Sequence, residues 1–405
     1  MLFIADRLQR DRVRRPLRVF VRPLPTNGRT IHPGTRGAKA NETTRFPVPR
    51  FASVGRGRRV RQAVMSQSTS RTLTDARTWS LQGVAVLGTG SYAPSLVVTN
   101  HDLARTHGFD HDWIVNRTGI YERRFAAPDQ ATSDLCVIAA QRCLEAAGVA
   151  PSEVDLLVLG TFTPDFSFPS TACIVQDRMK LVCPAFDLQA ACAGFVYALA
   201  TAAQFVAAGT SKRALVIGGD TNSRIINPND PRSFPLFGDG AGAVLLGPGD
   251  PDQGMLACQL GSDGAGGPLL DRPACGSRNP PTPEELAAGR HYLHMDGRAV
   301  FKWAVRVLTD SALDVLKHAQ VNVDQVAWFV PHQANVRILN SASDVLGFPR
   351  EKVFKNLDRY GNTSAGSVAL AWDELVRGPG LQRGDLALIS GFGAGLNWGT
   401  FLWRW

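Results

Sequence analysis

The chain has 405 residues, 44% of them hydrophobic and 20% charged, which leaves room for two domains with sizeable cores and matches an ordinary globular protein. Its net charge of +9 is no argument for nucleic acid as a partner: residues 1–64 hold 15 Arg and one Lys against three acidic residues, and the rest of the chain carries a net −4. The seven cysteines are odd in number and include no Cys-x-x-Cys pair, and the eight histidines do not cluster with carboxylates at ligand spacing; this argues against a disulfide framework and a metal site, and for a reducing, cytoplasmic setting.

Residues 1–78 lack sustained apolar periodicity, are rich in Arg, Pro, Gly and Thr, and read as a disordered basic extension. They contain no apolar core of a secretory signal. Met65 opens a Ser/Thr-rich lead-in and is the favoured alternative start, with an organelle transit peptide second and a nucleic-acid-binding arm third. The folded part is expected from Trp79. Val84–Gly88 reads as a strand, 102–115 and 133–147 as helices, and Val154–Gly160 as a continuous apolar strand of a sheet covered on both faces. A helix over 171–179 and a strand over 182–188 follow, then an Ala-rich helix over 193–209. Leu188–Ser211 is the longest uncharged stretch, but Gln189, Thr201, Gln204 and its many alanines suit a buried helix and not a membrane span. Strands are expected at 213–219 and 240–247, and a surface loop at 273–290, where four prolines fall.

The order then repeats. Val326–Val330 parallels 154–160, Val353–Asn356 with a turn and a Ser/Ala-rich helix from Ser364 parallels 182–209, Asp385–Ser390 parallels 213–219, and Thr400–Trp403 parallels 240–247. Two similar α/β halves imply two packed mixed sheets with helices between and outside them.

Cys192 falls where a strand turns into a helix N-terminus, whose unpaired N–H groups and partial positive charge favour a thiolate. Small neighbours, Ala191, Ala193 and Gly194, leave its sulfur approachable. An inert core cysteine is the competing reading. Under the duplication the turn holding Asn362 is equivalent to the turn holding Cys192, and His332 lies just past its own strand end. Ligand sites of α/β sheets lie outside such strand ends, so the three can converge on one pocket.

Ala191-Cys-Ala-Gly-Phe195, Pro331-His-Gln-Ala-Asn335 and Gly361-Asn-Thr-Ser364 resemble the three active-site motifs of the β-ketoacyl-acyl-carrier-protein synthase III family. Asp112–Ile120, Phe237–Gly242 and Phe392–Gly395 support the resemblance, which spans about residues 83–405. Cys-His-Asn distinguishes this pattern from the Cys-His-His elongating synthases, and Ser390–Gly395 lacks the second cysteine of a thiolase. The resemblance implies a thiolase-like fold of duplicated α/β halves in a five-layered αβαβα sandwich, with 79–255 carrying the nucleophile and 256–405 carrying His and Asn. It implies decarboxylative Claisen condensation of an acyl-CoA primer, acetyl-CoA or similar, with malonyl-acyl carrier protein through an acyl-Cys192 intermediate. His332 and Asn362 would stabilise the enolate, and the N–H groups of Cys192 and Ala394 would form the oxyanion hole. Coenzyme A enters as a thioester substrate, with no permanently bound cofactor.

By the same resemblance, Trp113 and Arg232 would hold the adenine, Arg117 the phosphates, and Phe301 and Asn335 the pantetheine channel, while Arg298 replaces an Asn of the family pattern. Lys302, Arg306 and Arg337 would dock acidic carrier protein, and Phe168 would close the acyl pocket of the partner in a homodimer. The alternatives are a secondary-metabolite relative (a polyketide starter synthase, or an acyltransferase to an alcohol or amine) and a non-catalytic partner of a synthase complex. Retention of Cys192, His332 and Asn362 weighs against the last.

Overall fold

A computed structural model describes residues 76–405. Expectations for the basic extension up to residue 75, Met65 included, lie outside the described residues. The extension ends before 78: Thr78 is already in a strand, and the Gln259 amide donates to the Ala76 carbonyl at 3.2 Å and to Thr78 Oγ1 at 3.3 Å.

The strands, in chain order, are β1 (Thr78–Gln82), β2 (Val84–Tyr92), β3 (Leu96–Thr99), β4 (Glu122–Phe125), β5 (Leu156–Gly160), β6 (Ala185–Leu188), β7 (Ala214–Asp220), β8 (Gly240–Pro248), β9 (Gly254–Ser262), β10 (Leu270–Asp271), β11 (His294–Met295), β12 (Trp328–Pro331), β13 (Leu386–Gly393) and β14 (Asn397–Arg404). One five-stranded sheet runs β2-β8-β7-β5-β6 and the other β1-β9-β14-β13-β12. The pairing confirms the repeat. β5 is parallel to β7, which is antiparallel to β8, which is antiparallel to β2. In the same way β12 is parallel to β13, antiparallel to β14, antiparallel to β9. β1 breaks the division at 255: it precedes the first half in the chain but pairs antiparallel with β9, in the sheet of the second half.

Helices Gly194–Ala207 and Gly366–Arg377 fill the space between the sheets, where Phe195, Leu199, Val368 and Trp372 pack with Val216, Val244, Ile389 and Phe401. Thr132–Ala147 and Thr171–Arg178 cover the outer face of the first sheet. Gly297–Ala319 and Val336–Leu346, two helices absent from the sequence expectation, cover the second. The result is five layers, αβαβα. β5, β7 and β13 are buried along their whole length, which is why they read as continuous apolar runs.

Several elements differ from expectation. The helix expected over 102–115 is two, Asn100–His107 and His111–Thr118, because Gly108 adopts φ +69° as a C-cap and the Asp110 side chain then caps the Trp113 N–H. The strand over 182–188 starts only at Ala185; Val182 is exposed, and Pro184 has no N–H to give to a ladder. Val353–Asn356 makes one bridge, Phe329 to Val353, before the Asn356 N–H turns to the Gln333 side chain at 3.1 Å. The proline-rich segment 273–290 contains a short helix, Pro283–Ala287, capped by Thr282.

Candidate active site

The site is built where the two central helices begin. β5 holds the first helix close: a Cβ at Gly160 would lie 2.5 Å from the Gly194 carbonyl carbon, so only glycine permits this approach. One 3₁₀ turn, Ala191–Ala193, precedes that helix and carries Cys192, which is 7% exposed. Ala191 itself has φ +47°. The end of β13 lies directly against this turn, since a Cβ at Gly393 would be 2.6 Å from Cys192 N.

Ser364 leads into the second helix with φ +53° and joins the groups. Its hydroxyl donates to Asn222 Oδ1 at 2.8 Å, and it pulls the pKa of the Cys192 thiol down. Its N–H donates to Asn362 Oδ1 at 2.9 Å. With the oxygen end of the Asn362 amide so held, the NH₂ end is turned the other way. The Asn362 backbone is tied down by its N–H to the Leu236 carbonyl at 2.8 Å, and its carbonyl accepts from Gly238 N at 3.0 Å.

His332 follows β12 and is 1% exposed. Its N–H donates to the Ser390 carbonyl on β13 at 2.7 Å, Nδ1 lies 2.5 Å from Ser367 Oγ, and the Phe392 ring meets the imidazole edge-on at 5.0 Å. Nε2 has no hydrogen-bond partner among the described residues. Gln333 fastens the same turn by donating to the Pro331 carbonyl at 2.7 Å and the Phe354 carbonyl at 3.2 Å.

Burial dominates the electrostatics. It holds His332 neutral, with its pKa pushed down to about 3, and pushes the Cys192 thiol up to about 12, against a downward pull from Ser364. Enclosure of the sulfur and the helix N-terminus thus act on Cys192 in opposite directions. No backbone carbonyl among the described residues accepts from the N–H groups of Cys192 and Ala394, and Ala394 is not among the residues at positive φ, so a side chain is accommodated there. Asp220, one residue beyond the strand expected at 213–219, was not singled out by the sequence. Fully buried, its carboxylate accepts from Thr161, Phe162 and Thr163 on one side and from Ala365 N at 2.9 Å on the other, tying the two halves together beneath the site. A cavity of about 980 Å³ opens beside Gln189, Ala191 and Ala394 and is walled further out by Phe162, Phe166, Ile225, Leu293 and Cys275.

The outer residues are less gathered. Arg117 lies on the exposed Trp113 ring, its guanidinium 5.2 Å from the centroid, and Arg232 pairs with Asp230 at 3.0 Å. Asn335 caps helix Val336–Leu346 by accepting from Arg337 N, and its NH₂ donates to the Arg117 carbonyl at 3.0 Å. Phe301 sits under the Arg337 guanidinium at 5.8 Å. Lys302 and Arg298 are exposed, and Arg306 pairs with Asp310 at 3.4 Å. Phe168 is 86% exposed, with Phe166 beside it at 61%. Among the described residues there is no cluster of side chains fit to hold a metal ion, and no helix long and apolar enough to cross a membrane.

Two family models match in order. "3-Oxoacyl-[acyl-carrier-protein (ACP)] synthase III" matches residues 186–264, around Cys192, and its C-terminal counterpart matches 316–405, which hold His332, Asn362 and Ala394. The chain is 54% identical over 344 residues to a β-ketoacyl-[acyl-carrier-protein] synthase III of Rhodopirellula baltica, covering 80% of this chain and 99% of that one. The crystal structure of 3-oxoacyl-[acyl-carrier-protein] synthase III from Aquifex aeolicus superposes with a TM-score of 0.74 at 40% identity, covering 80% of this chain and all of the other. The priming β-ketosynthase of the R1128 polyketide pathway superposes equally well, at 0.74, with 37% identity, covering 81% of this chain and 98% of that one. Such identity over nearly the whole length of the relatives, with the fold and the order of the site motifs kept, means that the chain belongs to the β-ketoacyl-[acyl-carrier-protein] synthase III family of thiolase-fold condensing enzymes.

Proposed function

We propose that this chain condenses an acyl-CoA primer with malonyl-acyl carrier protein in two half-reactions, with Cys192 as nucleophile and His332 and Asn362 as donors to the second substrate. The observation that carries the reading is the enclosed Cys192 with two N–H groups, its own and that of Ala394 just past the strand end packed against it, from which no backbone carbonyl among the described residues accepts. Backbone donors kept free of protein acceptors suit an oxyanion hole. In the first half-reaction Cys192 sulfur attacks the thioester carbon, the C–S bond to coenzyme A breaks, and the thiol proton ends on the coenzyme A sulfur. In the second, malonyl thioester loses CO₂. The enolate oxygen takes hydrogen bonds from His332 Nε2–H and the Asn362 NH₂, and the enolate carbon attacks the acyl-Cys192 carbonyl. Cys192 leaves as thiolate and regains a proton from solvent.

Coenzyme A acts here as substrate and no resident cofactor is needed. Arg117 with Trp113, together with Arg232, is proposed to receive its nucleotide end, and Phe301 and Asn335 its pantetheine. Exposed Lys302, Arg306 and Arg337 are proposed to meet acidic carrier protein. The active form is proposed to be a homodimer, supported by the exposed Phe166 and Phe168 beside the cavity wall. A cytoplasmic setting is supported by seven cysteines that are all free.

The test is the intact mass of the protein before and after incubation with a mixture of acyl-CoAs. A single acyl adduct, absent in Cys192→Ala, is expected, and addition of malonyl-acyl carrier protein should discharge it with release of CO₂. No adduct with any acyl-CoA would sink the primer reading. The likeness to the R1128 priming ketosynthase favours one second reading, a polyketide starter synthase. A preference for primers longer than acetyl in the same experiment would favour it, and discharge of the adduct by an alcohol or amine without CO₂ would mark an acyltransferase.

A further inference from the structure

We infer that Ser367, on the second central helix, is a positioning residue: its hydroxyl donates to His332 Nδ1 and thereby fixes the proton of the neutral imidazole on Nε2. Ser367 Oγ lies 2.5 Å from Nδ1, and both residues are shut away from solvent, at 2% and 1% exposure. The same oxygen receives the Gln333 N–H at 3.4 Å. A serine hydroxyl has one proton to give and lone pairs to receive. Gln333 N–H is itself a donor and cannot accept that proton. A helical serine often turns it to the carbonyl one turn back, but Ser367 makes no such bond, and the Thr363 carbonyl instead takes the Gly366 N–H at 3.0 Å. Nδ1 is therefore the acceptor that remains within reach of the hydroxyl among the described residues.

The opposite tautomer would place Nδ1–H and Gln333 N–H on one oxygen and leave a buried hydroxyl proton with no acceptor, which enclosed sites rarely tolerate. The doubly protonated ring is disfavoured by burial. Held as Nε2–H, the ring offers its one donor on the side away from Ser367, where no acceptor among the described residues takes it. A base is thus excluded at Nε2 and a donor supplied, as a developing enolate oxygen requires. This rests on the reading of His332 as a donor in the second half-reaction.

The experiment compares both half-reactions in Ser367→Ala, Ser367→Thr and His332→Ala, alongside ¹⁵N spectra of histidine-labelled enzyme. For Ser367→Ala the malonyl-dependent half-reaction is expected to fall about 10- to 100-fold, far more than the acylation of Cys192. Ser367→Thr, which keeps the hydroxyl, should recover most of the loss. The His332 spectrum, assigned by its disappearance in His332→Ala, should show a protonated Nε2 and an unprotonated Nδ1. A protonated Nδ1 in the wild-type enzyme would overturn the inference even if the Ser367 variants fail to fold. Wild-type condensation in Ser367→Ala, with His332→Ala inactive, would overturn the role of Ser367 alone. Condensation surviving in His332→Ala would remove the reading of His332 beneath it.

Discussion

Cys192, His332 and Asn362 are held by neighbours that do no chemistry of their own. Ser364 bonds the Asn362 oxygen and lowers the pKa of the Cys192 thiol, Ser367 meets His332, and Phe392 stands edge-on to the imidazole. Enclosure sets the protonation states. A thiol raised to about 12 is a small fraction thiolate at neutral pH, and that fraction grows about tenfold per pH unit. Alkylation of Cys192 by iodoacetamide, read by mass at its peptide, should therefore rise about tenfold per unit from pH 7 to pH 9. A plateau below pH 8 would mean that the helix N-terminus prevails over burial. His332 works in the opposite sense. With a folded value near 3 against an ordinary 6.5, the unfolded chain takes up the proton first as pH falls, so this residue's contribution to stability is whole above 6.5 and shrinks toward pH 3. Malonyl decarboxylation should accordingly show no titration of His332 between pH 5 and 8; a step near 6.5 would place the ring in a wetter site.

At the level of elements, the two central helices start side by side because small residues let them. Gly160 lies against the Gly194 backbone, and Ala365 stands 3.3 Å from where a Gly194 Cβ would be. Gly160→Ala would press a methyl into backbone atoms that cannot yield as a side chain can, and should displace the Cys192 turn. A fall in the acylation rate of at least about tenfold, with smaller loss of stability, is the expected result; unchanged acylation would show that the strand shifts instead. Asp220 joins the same elements through charge. Its carboxylate gathers donors from residues 161–163 and from Ala365, and Asp220→Ala would leave them without an acceptor in a dry interior. Thermal or denaturant unfolding should report a loss of about 3–5 kcal/mol. A loss below about 1 kcal/mol would mean that water replaces the carboxylate.

For the molecule as a whole, the αβαβα stack leaves the segment around Phe166 and Phe168 uncovered beside the cavity. Large exposed aromatics at the rim of a pocket mark an interaction site. In solution the enzyme should sediment at twice the 43.7 kDa chain mass. Phe168→Ala should widen the range of acyl-CoAs that load Cys192 toward longer chains. A monomer with full activity and unaltered primer range would remove Phe168 from the pocket.

The alternation of strand and helix, the repeat at matched offsets and the three motifs were legible in the linear chain. Buried strands must be apolar throughout, a helix must stop at Gly148, and a nucleophile approached closely must have small neighbours. Family membership followed from the same residues. Other features were decided only by contacts between residues far apart in the chain. β1 pairs with β9 across 172 to 181 residues of sequence, the Arg117 guanidinium rests on the Trp113 ring, and the pattern over 182–188 could not show that Pro184 shortens the strand. Asp220, just past the strand expected at 213–219, drew no notice in the linear chain, because the five donors on it come from both halves. The protonation of Cys192 shows the reason most plainly: the sequence displays the helix that would lower the thiol's pKa, but desolvation is a property of the packed interior, and no local pattern records it.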